Sequence, residues 1–179
     1  ITVVALSLYN SYRKGVVEEA ASALSSAMLK NDDEKKNALT GVMEEFGSTT
    51  SAKWAKIELA HLDMKSGNFD AAAEKYNTEL NEIDDSDPLW GLLLYGAGQA
   101  FEANKQYGAA IDKYDLLKEV EGYEHIGYVS LARIEEVQGN LEKASTIYNN
   151  FLLNVGDDPA AAQSRSEIEA RIARLKAKM

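Results

Sequence analysis

The chain has no cysteine, only two prolines and two histidines, and too little positive charge to balance its acids. Without cysteine there is no disulfide framework and no thiolate chemistry, which suits a cytosolic and an exported protein equally. Two prolines and few alternations of apolar and polar residues point to an all-helical chain. A net charge of −10 argues against nucleic-acid binding, which uses Lys and Arg to neutralise phosphate, and against adsorption to anionic lipid. His61 and His125 are far apart, and neither a His-Glu-x-x-His run nor a Gly-x-Ser-x-Gly elbow occurs. Catalysis, a metal and a cofactor are therefore not expected. Gly96-Ala97-Gly98 invites a dinucleotide reading, but Phe101 stands where the third glycine belongs and no strand is predicted before it. Asp84-Asp85-Ser86-Asp87 lacks the ligand spacing of a calcium loop and reads as a solvated turn that caps the next helix.

No apolar run is long. Ile1 to Tyr9 is nearly all apolar, yet too short to span a bilayer, which takes about 20 residues. Three readings of this stretch stay open. It is the tail of a membrane anchor lying upstream of residue 1, the buried first turns of an ordinary helix, or, as residues 1–12, a seam for homo-oligomer assembly.

What the sequence does have is a repeat. Gly98, Phe101, Tyr107, Ala110 and Tyr114 recur 34 positions later as Ala132, Glu135, Leu141, Ala144 and Tyr148. Ala60, Phe69, Ala72 and Tyr76 form an earlier copy, offset by 38, with the acidic run taking up the extra residues. Small residues at a helix crossing flanked by bulky ones are what ridges-into-grooves packing needs. The predicted helices run from near 2 to 29, through the stripe from Ala38 to Phe46, then over 51–65, 69–83, 87–103, 107–119, 123–137 and 141–154. Asn31-Asp32-Asp33 breaks the first helix and caps the next, and the hydroxyls of Ser48–Ser51 are available as caps. Gly98 has a packing reason, whereas Gly91 and Gly96 show none, so the fifth helix is expected to fray at its start. Asp158 and Pro159 open a last helix whose stripe is Ile168, Ile172, Leu175 and Met179.

A period of 34 and the turns Gly67-Asn68-Phe69 and Gly139-Asn140-Leu141 resemble the tetratricopeptide repeat (TPR) family. The central copy departs from the family turn, with Lys105-Gln106-Tyr107 where glycine is usual. The resemblance implies an all-α, TPR-like right-handed α-solenoid of helical hairpins. It implies one domain over 1–179: an irregular N-terminal hairpin at 1–46, repeats at 51–83, 87–120 and 123–155, and a capping helix at 158–179.

The family binds peptides or helices in a concave groove lined by the first helix of each hairpin. In this register the groove would hold Trp54, Ile57, Glu58, His61 and Lys65, then Leu92, Tyr95, Gln99 and Glu102, then Ile126, Val129, Ser130, Arg133 and Glu136. Most of the set Tyr9, Tyr12, Trp54, Trp90, Tyr95, Tyr123 and Tyr128 reads as core, with Trp54 and Tyr95 as the exposed anchors. The family's carboxylate clamp does not transfer, because its positions hold Ile57, His61, Gly96, Ile126 and Ser130.

The layout also resembles the bacterial single-span TPR proteins related to the ancillary subunit of the SecYEG translocon. That likeness implies a chaperone-associated protein on the periplasmic side of the inner membrane, the alternative compartment being the cytoplasm. A self-assembling structural subunit and an outer-membrane assembly TPR lipoprotein are the other readings.

Overall fold

Three residues with positive φ set the plan of the chain: Gly67 at 77°, Lys105 at 59° and Gly139 at 80°. They stand in the register of the sequence repeat. The residue after each has φ near −85° and ψ near 60°, namely Asn68, Gln106 and Asn140. Each of these three backbone N–H groups donates back across the turn at 2.8 Å, to the carbonyls of Asp63, Phe101 and Glu135. One helix-to-helix turn is thus built three times. Two copies use glycine, which enters the left-handed region without steric cost; the third holds a lysine there.

The computed structural model describes residues 2–179; Ile1 lies outside the described residues, as do the side chains of 2–5, 7 and 8. The readings of the apolar N-terminal stretch fall largely on those residues. Among the described residues the regular structure is wholly helical, nine α-helices and one 3-10 turn. The chain divides into two compact units, between Glu82 and Ile83.

The first unit holds α1 (Thr2–Met28), α2 (Asp32–Glu45), α3 (Thr50–Lys65) and α4 (Phe69–Asn81). Asn31 caps α2 by accepting the Glu34 N–H at 3.1 Å, and Thr49 caps α3 by accepting the Ala52 N–H at 3.2 Å. Helix α1 packs on α2 and α3, α2 on α3, and α3 on α4. The core between the first three joins Ala20 and Ala27 to Leu39, Val42, Phe46, Ala55 and Leu59. Tyr9 and Tyr12 are not core; both are exposed, at the mouth of a cleft shared with the α2–α3 turn at Glu45–Thr50. Among the described residues no helix is long and apolar enough to cross a membrane.

The second unit holds α5 (Trp90–Ala103), α6 (Tyr107–Leu117), α7 (Glu124–Val137), α8 (Leu141–Val155), the 3-10 turn Pro159–Ala161 and α9 (Ala162–Lys176). Here α5 packs on α6, α6 on α7, α7 on α8, and α8 on α9. Consecutive helices pairing with their neighbours in this way is consistent with an α-solenoid. The repeat positions behave alike in both units: Ala60, Ala72, Ala110, Ala132 and Ala144 are sealed, as are Tyr76, Tyr114 and Tyr148.

Four expectations need correction. Helix α5 starts at Trp90, three residues later than the periodicity suggests, because the Asp87 carboxylate accepts the Leu89 N–H at 2.9 Å and holds 84–89 as turns. Gly91 does have a packing reason: a Cβ there would stand 2.6 Å from two ring carbons of Tyr123. Asp158 caps the 3-10 turn rather than the last α-helix, which begins at Ala162. Ile168, Ile172 and Leu175 are buried on α9, but Met179 lies past its end and is exposed.

Candidate functional site

In the first unit the predicted groove residues lie along α3. Trp54 keeps 37 % of its surface, and His61 and Lys65 are exposed. Glu58 is half-buried and its carboxylate lies 3.5 Å from His61 Nδ1. Lys65 pairs with Asp32 of α2, so its charge is already met. Ile57 is sealed in the core and presents no surface to a partner.

In the second unit α5 and α7 bring a tighter group together. Arg133 on α7 grips Glu102 on α5 through two parallel bonds, Nε to Oε1 at 2.7 Å and a terminal nitrogen to Oε2 at 2.6 Å. The Tyr114 hydroxyl of α6 donates to the same Glu102 at 2.9 Å. Such forked, charge-assisted bonds are the strong ones and fix the guanidinium plane. The Glu102 bonds raise the Arg133 pKa, and burial first, then the Glu102 charge, pushes the Tyr114 phenol well above its usual range. One turn back on α5, Gln99 donates to the Tyr95 hydroxyl at 2.9 Å, and the Tyr95 ring meets the Tyr114 ring at 6.5 Å. Leu92, Tyr95, Gln99, Ile126, Val129 and Arg133 are all half-buried. Ser130, at 1 % exposure, is buried and supports Arg133 from below rather than facing outwards.

Part of the arrangement recurs one repeat on. The Tyr148 hydroxyl donates to Glu136 at 3.0 Å, and Arg171 of α9 acts on Tyr148 as a neighbouring cation. The tyrosine-to-acid bond is thus made twice, but the arginine fork onto that acid only once: Arg133 holds Glu102, whereas Arg171 bonds Glu167 of its own helix at 2.8 and 3.1 Å. In the first unit the place of the acid is taken by Met64, and Tyr76 instead meets His61 edge to face at 5.9 Å.

Other polar groups were not assigned to the groove from the sequence. Asp63 and Glu135 are buried carboxylates in matching register. Asp63 takes Lys75 Nζ at 2.5 Å; Glu135 takes Asn140 Nδ2 at 2.8 Å and Lys143 Nζ at 3.3 Å. Glu79, also buried, takes Lys56 at 2.7 Å. Their register, 72 positions apart for Asp63 and Glu135, was a signal the repeat already held. Each is paired, so none is poised as a general base. His125 Nε2 is sealed without a hydrogen bond and lies 3.5 Å from Glu167, a contact that becomes an ion pair only when the ring is protonated. Among the described residues no three acidic or histidine side chains gather to hold a metal ion.

What this geometry defines is an all-α protein of serially paired helices with a polar ladder along one face of its second unit. No protein-family model matches the chain, and no curated protein matches it.

Proposed function

We propose that the chain is a non-catalytic protein-interaction module of the tetratricopeptide type, a right-handed α-solenoid whose helical hairpins are capped by α9. It takes an extended peptide or a helix on the first helices of its hairpins, α3 in the first unit and α5 with α7 in the second. The observation that carries this reading is the Glu102, Tyr114 and Arg133 set beside Tyr95, whose tyrosine-to-acid bond recurs one repeat on as Tyr148 to Glu136. The Arg133–Glu102 fork offers rigid side chains beside the half-buried Tyr95, and rigid aromatic and arginine anchors dominate protein interfaces. The paired state of every buried acid also favours binding over chemistry.

The test is site-specific photo-crosslinking from position 54 and from position 95 in cells of the source, followed by quantitative binding of the captured partner. Trp54→Ala and Tyr95→Ala are expected to weaken that binding with helicity unchanged. Loss of helicity in either variant would show a core ring and would overturn the placing of the groove. The periplasmic, translocon- or chaperone-associated setting rests on the resemblance of layout, and fractionation of the native protein tests it.

A second reading has one observation in its favour. Leu6, Tyr9, Tyr12 and Val17 leave a run of α1 uncovered, 50 % or more exposed in each case. A structural subunit that self-assembles through this helix would sediment as a stable oligomer, and Tyr9→Ser with Tyr12→Ser would return it to a monomer.

A further inference from the structure

A second cavity lies in the second unit, apart from the ladder of α5 and α7. It measures about 530 Å3 and opens between the turn before α5 and the turn joining α6 to α7. Its apolar wall is Trp90, Leu116 and Tyr123. Leu116 is half exposed, at 50 %, although it stands one residue from the sealed Leu117. The Tyr123 ring is seated by backbone, since only glycine at position 91 leaves room for it.

The rim is acidic. Asp85, Asp87, Glu119 and Glu121 line the opening and no lysine or arginine does. The neighbouring Lys118 is engaged by Asp115 at 2.8 Å and stands 3.8 Å from Glu119. Among the described residues the side chains of Asp85 and Glu121 make no ion pair or hydrogen bond. A pocket of the first unit differs: it mixes Lys36, Lys56 and Lys75 with Glu74 and Glu79. Carboxylates of one sign around a low-dielectric wall focus a negative potential.

A bare metal ion would leave the aromatic wall unused, and a neutral apolar ligand would leave the rim unanswered. An arginine side chain answers both. Its stem covers apolar surface, its flat cation stacks on an aromatic ring, and its donors fork onto carboxylates. We propose that this pocket is a binding site for an arginine-containing basic segment of a partner protein, separate from the groove proposed above.

The test uses a short probe, acetyl-Gly-Arg-Leu-Arg-Gly-amide, titrated into the whole chain while the indole N–H signal of Trp90 is followed by NMR. Saturable movement of that signal is expected. Asp85→Asn with Glu121→Gln should weaken binding about tenfold or more, and raised salt should weaken it too. Both side chains are free at the surface, so the double variant is expected to keep its helicity. The acidic counterpart, acetyl-Gly-Glu-Leu-Glu-Gly-amide, should leave the signal still. No saturable movement by about 10 mM probe would overturn the proposal. So would binding that survives loss of both carboxylates, or calcium ions alone moving the same signal and blocking the peptide. None of these outcomes touches the reading of the ladder on α5 and α7.

Discussion

The Tyr114 hydroxyl donates a hydrogen bond to Glu102, twelve residues earlier, and that carboxylate is at the same time held by Arg133. Tyr148 stands in the same relation to Glu136. A hydrogen bond to a charged acceptor contributes about 1.5–3 kcal/mol, and less where the acid keeps other partners. Tyr114→Phe and Tyr148→Phe are therefore each expected to cost about 1–2 kcal/mol in urea unfolding. Tyr76 has Met64 at the matching place, and Tyr76→Phe should cost clearly less. Equal costs at all three sites would mean that ring packing, not the bond, sets the value.

These phenols also set the alkaline limit. Burial, ahead of any charge, pushes Tyr148 up to about 12 and carries Tyr76 and Tyr114 higher still. A folded pKa above the unfolded one stabilises the protonated form of the native state. That contribution is whole below about pH 10, the unfolded value, and is lost as pH rises through the folded one. The urea midpoint should hold level near neutrality and fall above about pH 10. Of the nine tyrosines, the sealed three should ionise only as helicity is lost. A single reversible titration of all nine with helicity intact would contradict this.

Two glycines separate packing from propensity. A Cβ on Gly98 would run into the Tyr114 ring, whereas one on Gly108 would meet nothing within 4 Å. Gly98→Ala should destabilise by about 1–3 kcal/mol through overpacking. Gly108→Ala, in the exposed first turn of α6, should be neutral or stabilise by up to about 1 kcal/mol. Circular dichroism during urea titration separates the two.

Much of this architecture was legible because it is periodic. A register of 34 located the sealed alanines and tyrosines, and local chemistry placed caps within Asn31–Asp33 and among the hydroxyls of Ser48–Ser51, of which Asn31 and Thr49 serve. What could not be read is what the repeat does not contain. Gly91 answers to Tyr123, more than thirty residues away in the next hairpin and at none of the recurring positions, so no local pattern gives its reason. The late start of α5 follows from one carboxylate taking one backbone N–H in a turn. Ile57 and Ser130 show the limit of a projected register: it assigns a helix face, but the neighbouring helices decide whether that face is covered. Trp54 and Tyr95 kept partial exposure for the same reason. The acidic cavity beside Trp90 draws on three separated segments, none of which is unusual alone.

Lys105 tests how far the three turns are one structure. Its φ of 59° matches the place of Gly67 and Gly139, and it is exposed, so its side chain has nothing to lose. A side chain in the left-handed region costs about 1–2 kcal/mol, against a smaller entropic cost of glycine in the unfolded chain. Lys105→Gly should therefore stabilise the protein by about 0.5–1 kcal/mol, although it removes a charged residue from the surface. The mirror changes, Gly67→Ala and Gly139→Ala, should destabilise by about 1 kcal/mol each, since a Cβ at either meets open space and only the backbone objects. Urea unfolding of the three variants measures this directly. A loss of stability in Lys105→Gly would mean that the lysine holds its turn by contacts of its own, and that the central turn is a different structure with the same outline.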